Sequence, residues 1–216
     1  MGCWSAENAT NAYLKTLRMG QKAKEPDVAE FISALAAGNN AQLMVVACAS
    51  FSTSTVLALV AAAHQTGGRV VCVLSSSKEL QISRQILGFD TCHVEFVVGE
   101  AKNLILTQYS EADFVLIDCN LNNHESILGA VQASRKQNGA VVVGYNALNK
   151  GSWWSTGSKT QLLPIGGGLL VTRIAAGCAK IGNLKKSSHW VVKVDKCTGE
   201  EHVFRVRHPQ RKQVEA

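Results

Sequence analysis

The feature that most constrains this chain is an alternation of short apolar runs with segments of helical period, repeated from residue 43 to residue 145. Leu43–Cys48, Arg69–Leu74, His93–Val98, Asp113–Ile117 and Ala140–Tyr145 are short, apolar and rich in valine, as strands buried on both faces are. Between them Thr53–His64, the segment from Ser76 to Leu87, Ala101–Gln108 and Ser126–Lys136 read as helices. Gly67-Gly68 reads as a turn, and Ser76 with Glu79 as a capping box. Strands alternating with helices need right-handed crossovers, so the pattern predicts an α/β fold: a mostly parallel, Rossmann-like sheet with helices on both faces.

Two helices precede the alternation. The first runs from Ser5 to Arg18; the second has Pro26 in its first turn, Val28, Phe31, Ile32 and Leu35 as its apolar face, and its end at Gly38-Asn-Asn40. Residues 146–160, with Trp153-Trp154, read as a loop whose aromatics form a lid, a docking surface or an outer closure of the core. Leu162–Ile165 and Leu169–Ile174 are strand-like around the turn Gly166–Gly168. His189–Val194 and His202–Arg207 flank Lys196-Cys-Thr-Gly199 as a C-terminal β-hairpin, a candidate addition to the sheet edge. The expectation is one domain over residues 1–208 and a frayed tail over 209–216.

Composition narrows the function classes. The chain has 216 residues, 46% of them hydrophobic and 18% charged, which suits a filled core rather than disorder. Its seven cysteines are odd in number and scattered, with no CxxC pair and no zinc spacing, so free thiols in a reducing compartment, the cytoplasm, are expected. No apolar run reaches the length of about 20 residues that spans a bilayer. Met1-Gly2-Cys3 raises acylation, but Ala6 stands where the pattern wants Ser or Thr, and helical packing of the segment is preferred. The net charge of +6 is split among separate basic stretches without interleaved aromatics, which argues for solvated faces over a nucleic-acid partner. A small molecule and a protein remain as partners.

In an open parallel sheet the ligand crevice lies at the carboxyl ends of the strands. The first such end reads Ala47-Cys-Ala-Ser-Phe-Ser-Thr-Ser-Thr55, with no glycine; its Ser/Thr cluster suits either an anionic group or capping by Ser52 or Thr53. The second reads Leu74-Ser75-Ser76-Ser77, where Ser75 offers a hydroxyl but no carboxylate, and Glu79 is better explained by capping. Glu100 follows the third strand and either accepts a bond from an amino group or complements a helix dipole. Asp118 ends the fourth strand as a site carboxylate or a turn residue, and Asn146 follows the fifth at the same rim. Histidines 64, 93 and 124 read as satisfied surface or core residues.

Several segments over roughly residues 27–175 resemble the cation-dependent O-methyltransferases of the caffeoyl-CoA type: Phe96-Val-Val-Gly-Glu-Ala101, Asp113-Phe-Val-Leu-Ile-Asp118, Asn138-Gly-Ala-Val-Val-Val143 and Leu163-Pro-Ile-Gly-Gly-Gly-Leu169. The last is similar to that family's Leu-Pro-Ile-Gly-Asp-Gly-Leu signature. The opening Trp4-Ser-Ala-Glu-Asn-Ala-Thr10 and the late hairpin resemble a plant family of methyltransferase-like proteins classed as a domain of unknown function. The resemblance implies the S-adenosylmethionine-methyltransferase fold, with that cofactor running along Ser50, Ser52 and Thr53, then Ser75, then Glu100 and Ala101. It implies methyl transfer to a hydroxyl, with Asp118 as general base or ligand of a divalent cation and Asn146 as the metal-binding or positioning asparagine. Where the family has a second aspartate, just before the asparagine, this chain has Tyr145. The glycine loop matches 49–55 without its glycines, and the ribose-binding acid falls at Leu74 or Ser75. A catalytically degraded binding or regulatory protein is the alternative reading.

Overall fold

A computed structural model of the chain describes residues 4–19, 27–134, 139–148, 159–175, 188–194 and 201–207. The acylation reading of Gly2 and Cys3, Pro26, the tryptophans 153 and 154, the hairpin turn and the tail lie outside them.

The strand runs become β1 (Leu43–Ala47), β2 (Arg69–Leu74), β3 (Val94–Val98), β4 (Phe114–Asp118) and β5 (Ala140–Tyr145), all mutually parallel. Two more strands, β6 (Lys159–Leu163) and β7 (Leu169–Ile174), complete a seven-stranded sheet in the order β3-β2-β1-β4-β5-β7-β6. β7 enters antiparallel between β5 and β6. The order reverses direction at β1, between β2 and β4, which creates the crevice at the carboxyl ends of those strands. The fold is thus the expected mostly parallel, Rossmann-like sheet with helices on both faces.

The helices are α1 (Ala6–Met19), α2 (Val28–Gly38), α3 (Thr53–Thr66), α4 (Ser77–Leu87), α5 (Ala101–Thr107) and α6 (His124–Ser134). Because side chains alternate along a strand, each central strand feeds two cores. Met44 and Val46 of β1 join Ile32, Leu35 and Leu59 of α2 and α3 on one face. Val45 and Ala47 join Ile105, Ile127 and Leu128 of α5 and α6 on the other. That double burial is why the strands read as unbroken apolar runs.

Local chemistry sets the helix bounds. α2 starts at Val28, where Glu30 Oε2 accepts from the Asp27 amide at 2.9 Å. α3 ends on Gly67 at φ +70°, a left-handed conformation that costs glycine nothing. Between α4 and β3 a short 3-10 turn, Gly88–His93, takes up residues that the apolar pattern leaves unassigned.

Two expected bounds need correction. β6 covers Lys159–Leu163, three residues earlier than the strand-like stretch Leu162–Ile165, because as an edge strand it needs an apolar partner on one side only. α6 begins at His124 rather than Ser126. The late strands, β8 (Ser188–Val194) and β9 (Glu201–Arg207), pair with each other as the expected antiparallel hairpin. Correspondingly, the chain divides into two compact units, Met1–Cys178 and Ala179–Ala216, a boundary that composition does not mark.

Candidate active site

The β4 and β5 tips carry the two residues with the most chemistry. Asp118 and Tyr145 are register partners, and Asn146 follows directly. Asn146 Nδ2 donates to Asp118 Oδ1 at 3.0 Å. The same oxygen accepts from the Asn120 amide at 3.0 Å, and Oδ2 accepts from the Ala49 amide at 3.3 Å. One carboxylate, 3% exposed, therefore ties together the segments that follow β1, β4 and β5. Asn146 holds its place with φ +60°, a left-handed conformation that asparagine tolerates better than most residues. The turn before β7 explains its three glycines at this point: a β-carbon on Gly167 would stand 3.0 Å from Asn146 Oδ1, and one on Gly168 would overlap Leu148.

Tyr145, where the resemblance implies a second aspartate, is buried beside Cys48 in the α2/α3-side core. Its hydroxyl is buried without a partner of hydrogen-bonding geometry among the described residues. Burial first, then the neighbouring Cys48 and Asp118, push its phenol well above the ordinary range and keep it neutral. The Cys119 thiol is pushed up to about 12 by burial and then by Asp118, so it is no nucleophile. Cys72, 3.8 Å from Cys48 between sulfurs, is also raised, chiefly through that contact and then burial.

The donor set does not fit a divalent cation. Hard cations are held by several oxygen ligands. Here both Asp118 oxygens already accept from N–H groups, and an uncharged phenol stands where the resemblance implies a second carboxylate. Among the described residues no three His, Cys, Asp or Glu side chains cluster with ligating geometry.

The other side of the crevice is different. A cleft of about 450 Å3 opens at the carboxyl ends of β1, β2 and β3, lined by Cys48, Ser75, Gly99, Glu100, Ala101 and Asn123 among others. It gathers three of the expected cofactor residues, Ser75, Glu100 and Ala101. Ser50, Ser52 and Thr53 stand outside its lining. Ser50 is exposed, and Thr53 is the first residue of α3. Ser52 occupies the N-cap position, but its hydroxyl pairs with Thr55 Oγ1 at 2.6 Å rather than with a backbone amide. The loop from Cys48 to Ser52 contains no left-handed residue, so its backbone has no conformational need of glycine. Glu100, which lines the cleft, is the N-cap of α5 and accepts from Asn103 Nδ2 at 2.6 Å.

Sequence spacing missed Cys48 and Asn123 as lining residues. Asn123 is signalled only by its place between β4 and α6, and Cys48 by following β1 directly. A second cavity of about 490 Å3 opens at the amino ends of β1, β4 and β5, beside Asn39, Gln42, Glu111 and Asp113. Both Asp113 oxygens there accept from the Gln42 amide, and one also from Leu43, which pins two strand starts rather than a ligand.

Comparison with known structures agrees with the sheet order. A methyltransferase from Geobacter sulfurreducens superposes with a TM-score of 0.53 at 20% identity, over 79% of this chain and 91% of that one. A Staphylococcus aureus protein provisionally named a caffeoyl-CoA O-methyltransferase gives 0.56 at 13% identity, over 79% and 93%. The SAH-bound methyltransferase PaMTH1 of Podospora anserina gives 0.56 at 15% identity, over 79% and 89%. At such identities the likeness speaks for the fold. No curated protein matches in sequence. A family model does match, over residues 2–206, nearly the whole chain: this protein belongs to the family described as protein of unknown function DUF1442.

Proposed function

We propose that this chain binds S-adenosylmethionine in the strand-end cleft and serves methyl transfer to a hydroxyl group of a small molecule, without a divalent cation. The observation that carries the reading is the open cleft of about 450 Å3 at the ends of β1, β2 and β3, with Ser75, Glu100 and Ala101 on its walls. The fold it shares with an SAH-bound methyltransferase supports the choice of ligand. When bound, S-adenosylmethionine supplies a methyl group on a positively charged sulfur. The chain's own part is to position: Ser75 takes a ribose hydroxyl, and Glu100 an adenine amino group. Alignment of two reactants is worth several orders of magnitude in rate on its own. The free thiols of Cys48, Cys72 and Cys119 support a reducing compartment, the cytoplasm.

A second reading, a binding or regulatory protein that keeps the cleft but transfers nothing, is favoured by one observation. Asp118 is 3% exposed and already accepts from Asn146, Asn120 and Ala49, as a structural tie would. Titration calorimetry with S-adenosylmethionine and S-adenosylhomocysteine tests the ligand, and transfer of a labelled methyl group to phenolic acceptors in EDTA tests the chemistry. Heat with both ligands and label on an acceptor are expected. No heat at millimolar ligand ends the cofactor reading; heat without label across the acceptors selects the second.

A further inference from the structure

Where β1 and β2 run side by side, two thiols meet in the core. Cys48 directly follows β1, and Cys72 lies in β2 as the register partner of Val46. Their sulfurs are 3.8 Å apart on the α2/α3 side of the sheet, with Cys72 fully buried and Cys48 4% exposed. The Tyr145 hydroxyl stands beside Cys48 and has no partner of hydrogen-bonding geometry among the described residues. A pair of buried sulfurs and a buried hydroxyl that lacks an acceptor therefore share one place.

The spacing suits one soft metal ion. Two thiolates bonded to the same ion at about 2.3 Å stand about 3.8 Å apart when the bonds meet at the tetrahedral angle, and about 4.6 Å apart in line. The observed separation matches the first and falls less than about an ångström short of the second. Thiolates select soft ions such as monovalent copper over magnesium or manganese. Zinc asks for at least three protein ligands, and among the described residues no three His, Cys, Asp or Glu side chains cluster. Monovalent copper is content with two. One such ion on two thiolates leaves a single negative charge in the core, and a buried charge needs a hydrogen bond. The phenol O–H of Tyr145, kept neutral by burial, is the donor at hand. Cys48 is also among the residues that line the strand-end cleft, which gives the ion a way in.

We propose that Cys48 and Cys72 form a two-sulfur site for monovalent copper, with the Tyr145 hydroxyl donating to the Cys48 sulfur. The ion displaces both thiol protons to solvent and stays monovalent, so nothing is oxidised or reduced. The site does not rest on the methyl-transfer reading and stands or falls without it.

The test is an anaerobic titration of the full chain with Cu(I) held by bicinchoninate, a coloured competitor. The wild type should take one equivalent that Cys48→Ala and Cys72→Ala both lose. Their affinity should fall by more than about a hundredfold, since even changes around a metal's ligands cost about tenfold to a hundredfold. Tyr145→Phe should keep the equivalent and bind it about tenfold more weakly, while Cys119→Ala should match the wild type. X-ray absorption on the wild type loaded with one equivalent should show two sulfurs at about 2.3 Å, a reading that needs no variant to fold. Pair variants that keep the wild-type equivalent, or a copper shell without two sulfurs, overturn the site. A Tyr145→Phe protein as tight as the wild type overturns the donor role of the phenol.

Discussion

Asn146 donates its side-chain amide to Asp118 across neighbouring strand tips at 3.0 Å, and it does so from a left-handed backbone. Two costs can therefore be separated at one position. Asn146→Gly loses the bond but keeps the conformation; Asn146→Ala loses the bond and must also strain. Chemical denaturation should find Asn146→Ala less stable than Asn146→Gly by about 1 kcal/mol, the price of a β-carbon in that region. Equal stabilities would mean that the backbone relaxes once the amide is gone. Asp118→Ala, which strands three N–H donors at once, should cost more than either, about 3 kcal/mol.

With its carboxylate committed, the rim should be indifferent to divalent cations. Melting curves in millimolar Mn2+, in Mg2+ and in EDTA are expected to coincide for the wild type. A rise in Tm with either ion, since a ligand of the native state stabilises by mass action, would show a cation site that the donor geometry does not reveal.

Tyr145 brings a hydroxyl into the core without a partner of hydrogen-bonding geometry. Replacing it with phenylalanine removes only that oxygen and keeps the ring in the core beside Cys48. Because a buried polar group left unsatisfied costs roughly 1–3 kcal/mol, Tyr145→Phe should be as stable as the wild type or more stable by about 1 kcal/mol. A clear loss of stability would reveal a bond from the hydroxyl to Asp118.

Tyr109 predicts a response to alkali. Its hydroxyl donates to Glu95 Oε1 at 2.7 Å, and burial, then that carboxylate, push its pKa up to about 12 from 10. The folded state thus holds a proton that the unfolded state releases earlier. The stabilisation is complete below pH 10 and is lost as pH rises toward 12. Between those limits Tyr109→Phe, which has no proton to lose, should lose less stability than the wild type in parallel melts; identical slopes would refute the assignment.

What the sequence revealed follows from what each residue touches. β1, β2, β4 and β5 are legible to within a residue or so because they are apolar on both faces, and a side chain buried on either side leaves no choice of residue type. β6 is blurred because Lys159-Thr-Gln161 at an edge meets partners on one side only. Asp118 and Asn146 are found together because strand ends on one side of a parallel sheet must converge, which is geometry and not chemistry. The bond from Ser75 to Glu79 was hidden for the opposite reason. A glutamate three residues after a serine has a sufficient local explanation as a cap, and nothing local shows that its side chain reaches back four residues. The commitment of Asp118 to three donors was invisible too, since two of them are backbone amides that any sequence would supply.

The turn before β7 has a mechanical consequence. Gly166 lies against Val28 and Asp27 at the start of α2, while Gly167 lies against Asn146, with no room for a methyl group at the first contact and little at the second. Packed that closely, the rim behaves like a hinge pin between two leaves. A shift of the Asn146 segment is passed through three consecutive residues to the first turn of α2, making amide exchange at Val28–Phe31 a remote gauge of events at the strand tips.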